Sequence, residues 1–377
     1  MARAAALPNP SLDLGWGTLP VGETNPRQLD QPWLHVPNYT LALSQPFEPG
    51  KRGPRLRAVL ANARVAAAAA RALAMEKFYD LKGVVGQIAM AQLRAEAFDQ
   101  LLVSSQRLLD LQRVRRGIGD VAGLDLLRAE GEHSRLVAAR AALDEELADA
   151  LARCSELMAD RCLPYADAGQ ARAWVDREAR LASPLRWSDE VEQRRMDFAA
   201  LEAEAEAARA LAAVGSAEAL PGLQARVGYM YDTFTVSGNQ RHSVNLGLGL
   251  TLPVWQAGQA ERSAAAAHKA RCDETRASRV AQGRAAVLAL GQRLALCERR
   301  QAALPAVLLR AQQLVDGMTE AFKRGGTSLS ESDVLLARQT LSALVLEQLD
   351  VRSDQLNAGL AARRLLGLGP SGPAAPW

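Results

Sequence analysis

The sequence predicts a mainly α-helical protein with a small β part, built from one strand, strand, long helix, helix unit used twice. Three observations carry this. The segment Arg116-Gly117 followed by Asp125-Leu126-Leu127-Arg128-Ala129 recurs 208 residues later as Arg324-Gly325 followed by Asp333-Val334-Leu335-Leu336-Ala337. Upstream, Leu41-Ala42-Leu43-Ser44-Gln45-Pro46-Phe47 returns as Leu248-Gly249-Leu250-Thr251-Leu252-Pro253-Val254, and a glycine (Gly50, Gly258) then opens a very long helical run in each copy. Finally, hydrophobic residues make up 49% of the chain but aromatics only 5%, so alanine and leucine supply most of the apolar surface, as thin-cored helices require. The period is too long for a solenoid.

In chain order, residues 1–159 read as the first repeat, with strands within 10–47, a long helix over 52–116 and a return helix over 122–159. A linker follows over 160–187, carrying Pro164 and Pro184. The second repeat, 188–369, adds a helix over 189–214 before its strands (within 223–254), long helix (257–324) and return helix (328–366), and 370–377 is a tail. No proline stands between Arg55 and Arg116, a run that would span roughly 90 Å as one helix. Leu101, Leu108 and Leu111 mark a narrow seam, and Ala66 to Ala70 lets a neighbouring helix approach closely. Gly83 and Gly86 are tolerable weak points, each costing about 1 kcal/mol relative to alanine. Pro305 is expected to kink the second long helix.

The strands alternate with period two. From Val244 to Val254 every even position is aliphatic and every odd one is Asn, Gly, Thr or Pro, with Val227, Tyr229 and Tyr231 alternating in the partner strand and Ser237-Gly238-Asn239 as turn material. Leu12, Leu14, Trp16 and Tyr39, Leu41, Leu43 repeat the pattern in the first copy. Eight of the 17 aromatics (Trp16, Trp33, Tyr39, Phe47, Tyr229, Tyr231, Phe234, Trp255) fall in these two regions. Alternating segments of about ten residues flanked by aromatics are the pattern of a membrane β-barrel, and four strands are too few to close one, so several chains would have to pool theirs.

Other classes find little support. A net charge of +3 gives no electrostatic case for nucleic acid. The chain holds no uninterrupted apolar run of about 18 residues, so no transmembrane helix is expected. His35, His133, His242 and His268 read as scattered, with no carboxylate or cysteine at ligand spacing, so neither a metal nor a cofactor is expected. There is no phosphate-binding loop or nucleophile elbow, and Gly215-Ser216 reads as a helix end; no enzyme is expected. Cys154 and Cys162 are close enough to pair in an oxidising compartment if the helix ends between them. Cys272 and Cys297 cannot pair, because the helical residues between them span roughly 37 Å, and each reads as a small core residue.

Taken together, these residues resemble the outer-membrane efflux proteins of the TolC type, most closely the heavy-metal-efflux branch typified by CzcC. The resemblance rests on Leu7-Pro8-Asn9-Pro10 before the first strand, Ser44-Gln45-Pro46-Phe47-Glu48-Pro49-Gly50-Lys51-Arg52 entering the long helix, Leu220-Pro221-Gly222-Leu223 before the second strand pair, and the two glycine turns followed by Asp-Leu-Leu or Asp-Val-Leu. It implies a homotrimer whose twelve strands form one outer-membrane barrel and whose helices form a periplasmic tunnel. It further implies a passive exit duct, in contact with outer-membrane lipid, for cargo (heavy-metal cations) delivered by an inner-membrane RND-type pump and a periplasmic adaptor.

On that resemblance the turns at Arg116-Gly117 and Arg324-Gly325 are the periplasmic tips, with Asp120 and Asp125 beside the first, and the adaptor docks there. Asp333, with Glu331 as the alternate register, would ring the entrance. Read from the residues alone, glycine ends each helix and the acids suit the positive start of the next. A ring of carboxylates would favour cations.

The N-terminus departs from this picture. Met1 to Leu7 runs straight into Pro8 with no basic stretch or apolar core of a signal peptide, and only the stub Arg3 to Leu7 stands where a first helix should precede the strands. The expectation is a start further upstream or a truncated copy. Rival readings are a non-exported coiled-coil scaffold or inactive fragment, which leaves the strands unexplained, and a drug-efflux or type I secretion duct, which differs only in cargo. A periplasmic adaptor would have one hairpin, not two equivalent copies.

Overall fold

The computed structural model describes residues 6–23, 27–118, 123–180, 185–233, 240–324 and 331–369, with backbone alone at 322–323 and 331–332. In order, the elements are β1 (Ser11–Gly17), α1 (Pro32–His35), β2 (Asn38–Phe47), α2 (Arg52–Gly117), α3 (Gly123–Met158), α4 (Ala168–Ala179), α5 (Asp189–Arg194), α6 (Met196–Glu218), β3 (Gly222–Asp232), β4 (His242–Thr251), α7 (Gln259–Lys323) and α8 (Glu331–Leu365). The chain is mostly helical with one small antiparallel sheet. It divides into two compact units, residues 1–70 with 197–277, and residues 71–196 with 278–377.

The first unit holds the sheet, in the order β1-β2-β3-β4. Leu14 lies opposite Leu41, Leu41 opposite Tyr229, and Tyr229 opposite Val244, so one side-chain parity runs across all four strands. The β2–β3 pairing joins the two repeats. Each strand pair hands over to its long helix through a glycine in the left-handed region, Gly50 at φ 80° and Gly258 at φ 75°, which a residue with a Cβ adopts only at a cost. These two glycines are duplicate positions, so the turn itself is part of what is repeated. Beside the first turn, Glu218 accepts from Lys51 (3.0 Å) and Arg55 (3.1 Å), and Arg55 also pairs with Glu48. Burial raises the Glu218 carboxyl, yet these donors hold it below its ordinary value overall.

Two sequence expectations about the helices before the second strand pair are corrected. The helix expected over 189–214 is two helices, broken at Arg195, whose backbone is extended (φ −77°, ψ 120°). The break is tertiary in origin: the Arg195 guanidinium lies 5.4 Å over the Trp187 ring, and Gly367 packs against its Cγ and backbone. Nor does the helix end at Gly215-Ser216. It continues to Glu218, because Gly215 lets it pass within touching distance of Gly258, and the Ser216 hydroxyl donates to the Ala212 carbonyl (3.0 Å) inside the helix. Pro305 stands inside the second long helix, α7. Finally, α2 is by length and composition apolar enough to cross a membrane, although the span in question is only 6% buried. Alanine, modest residue by residue, produces this sum without any continuous run of large apolar side chains.

The second unit packs α2, α4 and α8 around Ala89, Met90, Leu93, Ala171, Val175, Leu349, Leu356 and Leu360. Gly86 makes room for Leu356, whose Cδ2 would stand 3.0 Å from a Cβ there, so this glycine is a packing position. Leu356 is 1% exposed, and full burial of such a side chain contributes about 1.5–3 kcal/mol. The linker helix α4 starts at Asp167, whose carboxylate accepts from the Gln170 amide (2.8 Å). Its acids are clamped on both sides, Glu178 by Lys82 (2.8 Å) and Asp176 by Arg352 (2.6 Å). After α3 the chain reverses through Ala159 (φ 53°), and Cys162 returns to form a disulfide with Cys154, Cα atoms 5.9 Å apart. Cys272 and Cys297 are free and buried.

The junction glycines are not equivalent in tolerance. A Cβ on Gly50 would meet a movable Leu220 methyl at 2.6 Å, whereas one on Gly258 would meet the Gly215 carbonyl oxygen at 1.9 Å. Gly50→Ala is expected to cost about 1–2 kcal/mol, the left-handed penalty, and Gly258→Ala clearly more. Thermal unfolding in detergent checks this, and equal Tm losses would contradict it.

Candidate functional site

The sheet presents two chemically opposite faces. One carries Leu12, Leu14 and Trp16 of β1, Tyr39, Leu41, Leu43 and Phe47 of β2, Leu223, Val227 and Tyr229 of β3, and Val244, Leu246, Leu248 and Leu250 of β4. All of these side chains are exposed, Leu246 by 83% and Leu248 by 89%. The opposite face carries Asp13, Gly15, Asn38, Thr40, Ser44, Gln224, Arg226, Asn245, Gly247 and Gly249. Across one end of the apolar face Trp16, Tyr39, Tyr231 and His242 stand in register, a row of rings at one level. Phe234 and the Ser237-Gly238-Asn239 turn lie outside the described residues.

This face is neither scattered nor small, and its size decides its meaning. Isolated exposed leucines are ordinary in water, but a contiguous apolar surface across four strands marks contact with a partner or a membrane. Both edges, β1 and β4, are unpaired among the described residues. An open edge with an apolar face is an aggregation liability in water and is not viable in lipid unless another strand completes it.

The turns of the second unit are the other candidate surface. α2 ends at Arg116 and Gly117, both exposed, and a Cβ on Gly117 would meet nothing. α3 opens with Asp125, whose carboxylate pairs with Arg128 one turn on (3.2 Å). The duplicated Asp-Leu-Leu and Asp-Val-Leu segments resolve into one physical pattern. Leu126 and Ala129 are buried together with Leu109, and their duplicates Val334 and Ala337 are buried at 0% and 8%, so the repeat conserves a packing seat directly behind each turn. Asp333 at the start of α8 is exposed, as is Arg324. Ile118, Leu124 and Leu127 add exposed apolar side chains at the first turn. Asp120 and Gly325 lie outside the described residues, and Glu331 is described only as the first backbone position of α8.

Just behind the second turn, Arg338 donates to the Ser104 carbonyl (2.6 Å) and hydroxyl (3.1 Å), tying α8 to α2. It borders a cleft of about 690 Å³ whose lining includes Glu132, Asp316 and Thr319. Hydrogen bonding from Arg135 holds the Glu132 carboxyl below its ordinary value.

One cluster corrects the reading of the histidines. His268 and Cys272 are four residues apart on α7, which is ligand spacing on a helix, and Glu204 of α6 faces them; the three ligand atoms lie within 4.8 Å of one another. The signal for the pair was present in the chain. Its third member, 64 residues earlier, becomes visible only when α6 packs on α7.

With this geometry in view, likeness to known proteins is informative. Residues 187–368 match the model of the family described as outer membrane efflux protein. No curated protein sequence matches the chain. In fold it is similar to the outer-membrane channel OprN (19% identity, 98% of this chain and 83% of that one, TM-score 0.71). It is similar as well to the outer membrane protein VceC from Vibrio cholerae (16%, 97% and 89%, 0.69) and to the Campylobacter jejuni CmeC outer membrane channel (13%, 97% and 78%, 0.70). The second repeat thus carries the sequence pattern of the outer membrane efflux protein family, and the chain as a whole carries the fold of outer-membrane channels.

Proposed function

We propose that this chain is the outer-membrane channel of a tripartite efflux system: a passive exit duct, working with a periplasmic adaptor and an inner-membrane pump of the RND type, with heavy-metal cations as cargo. The observation that carries the reading is the four-stranded sheet with one exposed apolar face, one polar face and two open edges. In water that face would forgo about 1.5–3 kcal/mol for each large side chain it fails to bury. In lipid it needs no cover, and the polar face suits a water-filled lumen. Pairing β4 of one copy with β1 of the next satisfies the edges, and three copies give twelve strands, an even number above the minimum of about eight.

The remaining assignments follow from the same reading. The two turns are docking points for the adaptor, through Arg116, Gly117, Asp120 and Asp125 at the first and Arg324 and Gly325 at the second, with Ile118, Leu124 and Leu127 adding apolar contact. Asp333, or Glu331 in the alternate register, sets a ring of three carboxylates at the duct entrance. Such a ring attracts cations and resists anions by Coulomb forces alone. The duct needs no chemistry of its own, since the pump supplies the energy. Metal cargo rests on the resemblance to the heavy-metal-efflux branch, and the acidic entrance is compatible with it.

Leu246→Arg is expected to reduce membrane-inserted protein sharply, because Arg on the lipid face costs about 2–4 kcal/mol near the bilayer midplane. Asn245→Arg, one residue away on the lumen face, should be tolerated; equal loss for both would contradict the assignment of faces. In planar bilayers, Asp333→Asn should lower the preference for cations over anions, and unchanged selectivity would remove Asp333 from the entrance. Deleting the protein from its native cell should sensitise it to metal salts, and sensitivity to drugs alone would refute metal as cargo.

A further inference from the structure

Glu204, His268 and Cys272 form a cluster that neither the sheet nor the turns explain. It lies wholly within the first unit, where α6 packs on α7. Cys272 is buried, and Glu204 and His268 are half-buried. Its Sγ lies 3.7 Å from the Glu204 Oε2 and 3.7 Å from the His268 Nδ1. Burial raises the Cys272 thiol above its ordinary value, and the neighbouring Glu204 carboxylate raises it further. The one cation next to His268 in the chain, Lys269, is paired with Asp273 (2.8 Å).

We infer that Glu204, His268 and Cys272 form a binding site for a borderline divalent transition-metal ion of the zinc type. The spacing supports this. Around a tetrahedral ion with sulfur at about 2.3 Å and nitrogen or oxygen at about 2.0–2.1 Å, the sulfur–nitrogen and sulfur–oxygen edges are each about 3.6 Å. The two sulfur edges here are already 3.7 Å. The donor set also discriminates: thiolate and imidazole select zinc-like and softer ions, whereas magnesium and calcium require oxygen ligands. On binding, the ion takes the place of the thiol proton, which leaves to water. Three protein ligands leave the fourth position to water, so the ion is exchangeable rather than sealed in.

The placement gives the site a consequence. α6 leads into β3 and α7 leads out of β4, so an ion here clips together the two helices that flank the second strand pair. The inference stands on side-chain geometry and does not depend on which cargo the duct carries.

The test uses the full chain in detergent micelles with Co2+ as the probe. One Co2+ per chain should give a thiolate-to-cobalt charge-transfer band and the visible bands of a tetrahedral ion. Cys297→Ala, which removes the other free thiol, should leave both intact, and Cys272→Ala should abolish the charge-transfer band. His268→Gln and Glu204→Gln, which keep the thiol and preserve side-chain volume, should each weaken Co2+ binding by more than about 100-fold, beyond the 10–100-fold typical of an outer-shell change. A band that survives Cys272→Ala, Co2+ bound without any thiolate band, or undiminished affinity in both glutamine variants would overturn the site.

Discussion

The backbone hydrogen bonding of the sheet's two open edges is the constraint on which the rest of this structure depends. Among the described residues β1 and β4 each leave one ladder of N–H and C=O groups without a neighbouring strand, and in hydrocarbon each such group costs several kcal/mol. On the proposed reading the apolar face sets those edges in lipid, and other copies complete the ladder. A sheet of four strands is therefore one fraction of a closed barrel. The glycines on its polar face agree with this: a Cβ on Gly15 would meet the Thr40 hydroxyl at 2.4 Å, and one on Gly228 would meet Ala42 at 3.4 Å, so that face is trimmed where the strands crowd.

The helices have to connect to that sheet twice, and the duplication records how. A left-handed glycine turns the chain at Gly50 and again at Gly258, each from a strand into a helix of some 65 residues. In the second copy the turn is wedged against Gly215, so two backbones meet where no side chain fits. In the first, charge does the equivalent work, with Glu218 bridging Lys51 and Arg55. Behind the helical turns the duplicated Leu126 and Val334 each bury one side chain.

Much of this was legible because it is periodic. Period-two alternation placed the strands and both faces correctly, since in a sheet parity alone decides which way a side chain points. The absence of proline between Arg55 and Arg116 gave the first long helix, and the short Cys154 to Cys162 spacing allowed the disulfide that the structure contains. What escaped was set by contacts distant in sequence. No residue in Arg194-Arg195-Met196 announces a break; it comes from Trp187 under the guanidinium and Gly367 against the backbone. In the Glu204, His268 and Cys272 cluster the i, i+4 pair His268 and Cys272 is legible in the sequence, whereas Glu204 belongs to another helix and joins it only through packing. The alanine-rich start of α2 shows the reverse error: judged by continuous apolar runs it looks unremarkable, yet its summed hydropathy is that of a membrane span.

The most direct test of the central claim is inter-copy cross-linking of the two edge strands. Leu14→Cys on β1 and Leu246→Cys on β4, combined in one chain in the native outer membrane and treated with a short bifunctional thiol reagent, should yield covalent dimers and trimers, with the ladder ending at three. Monomers alone, or a ladder that continues past three, would show that these edges do not close into a twelve-stranded barrel.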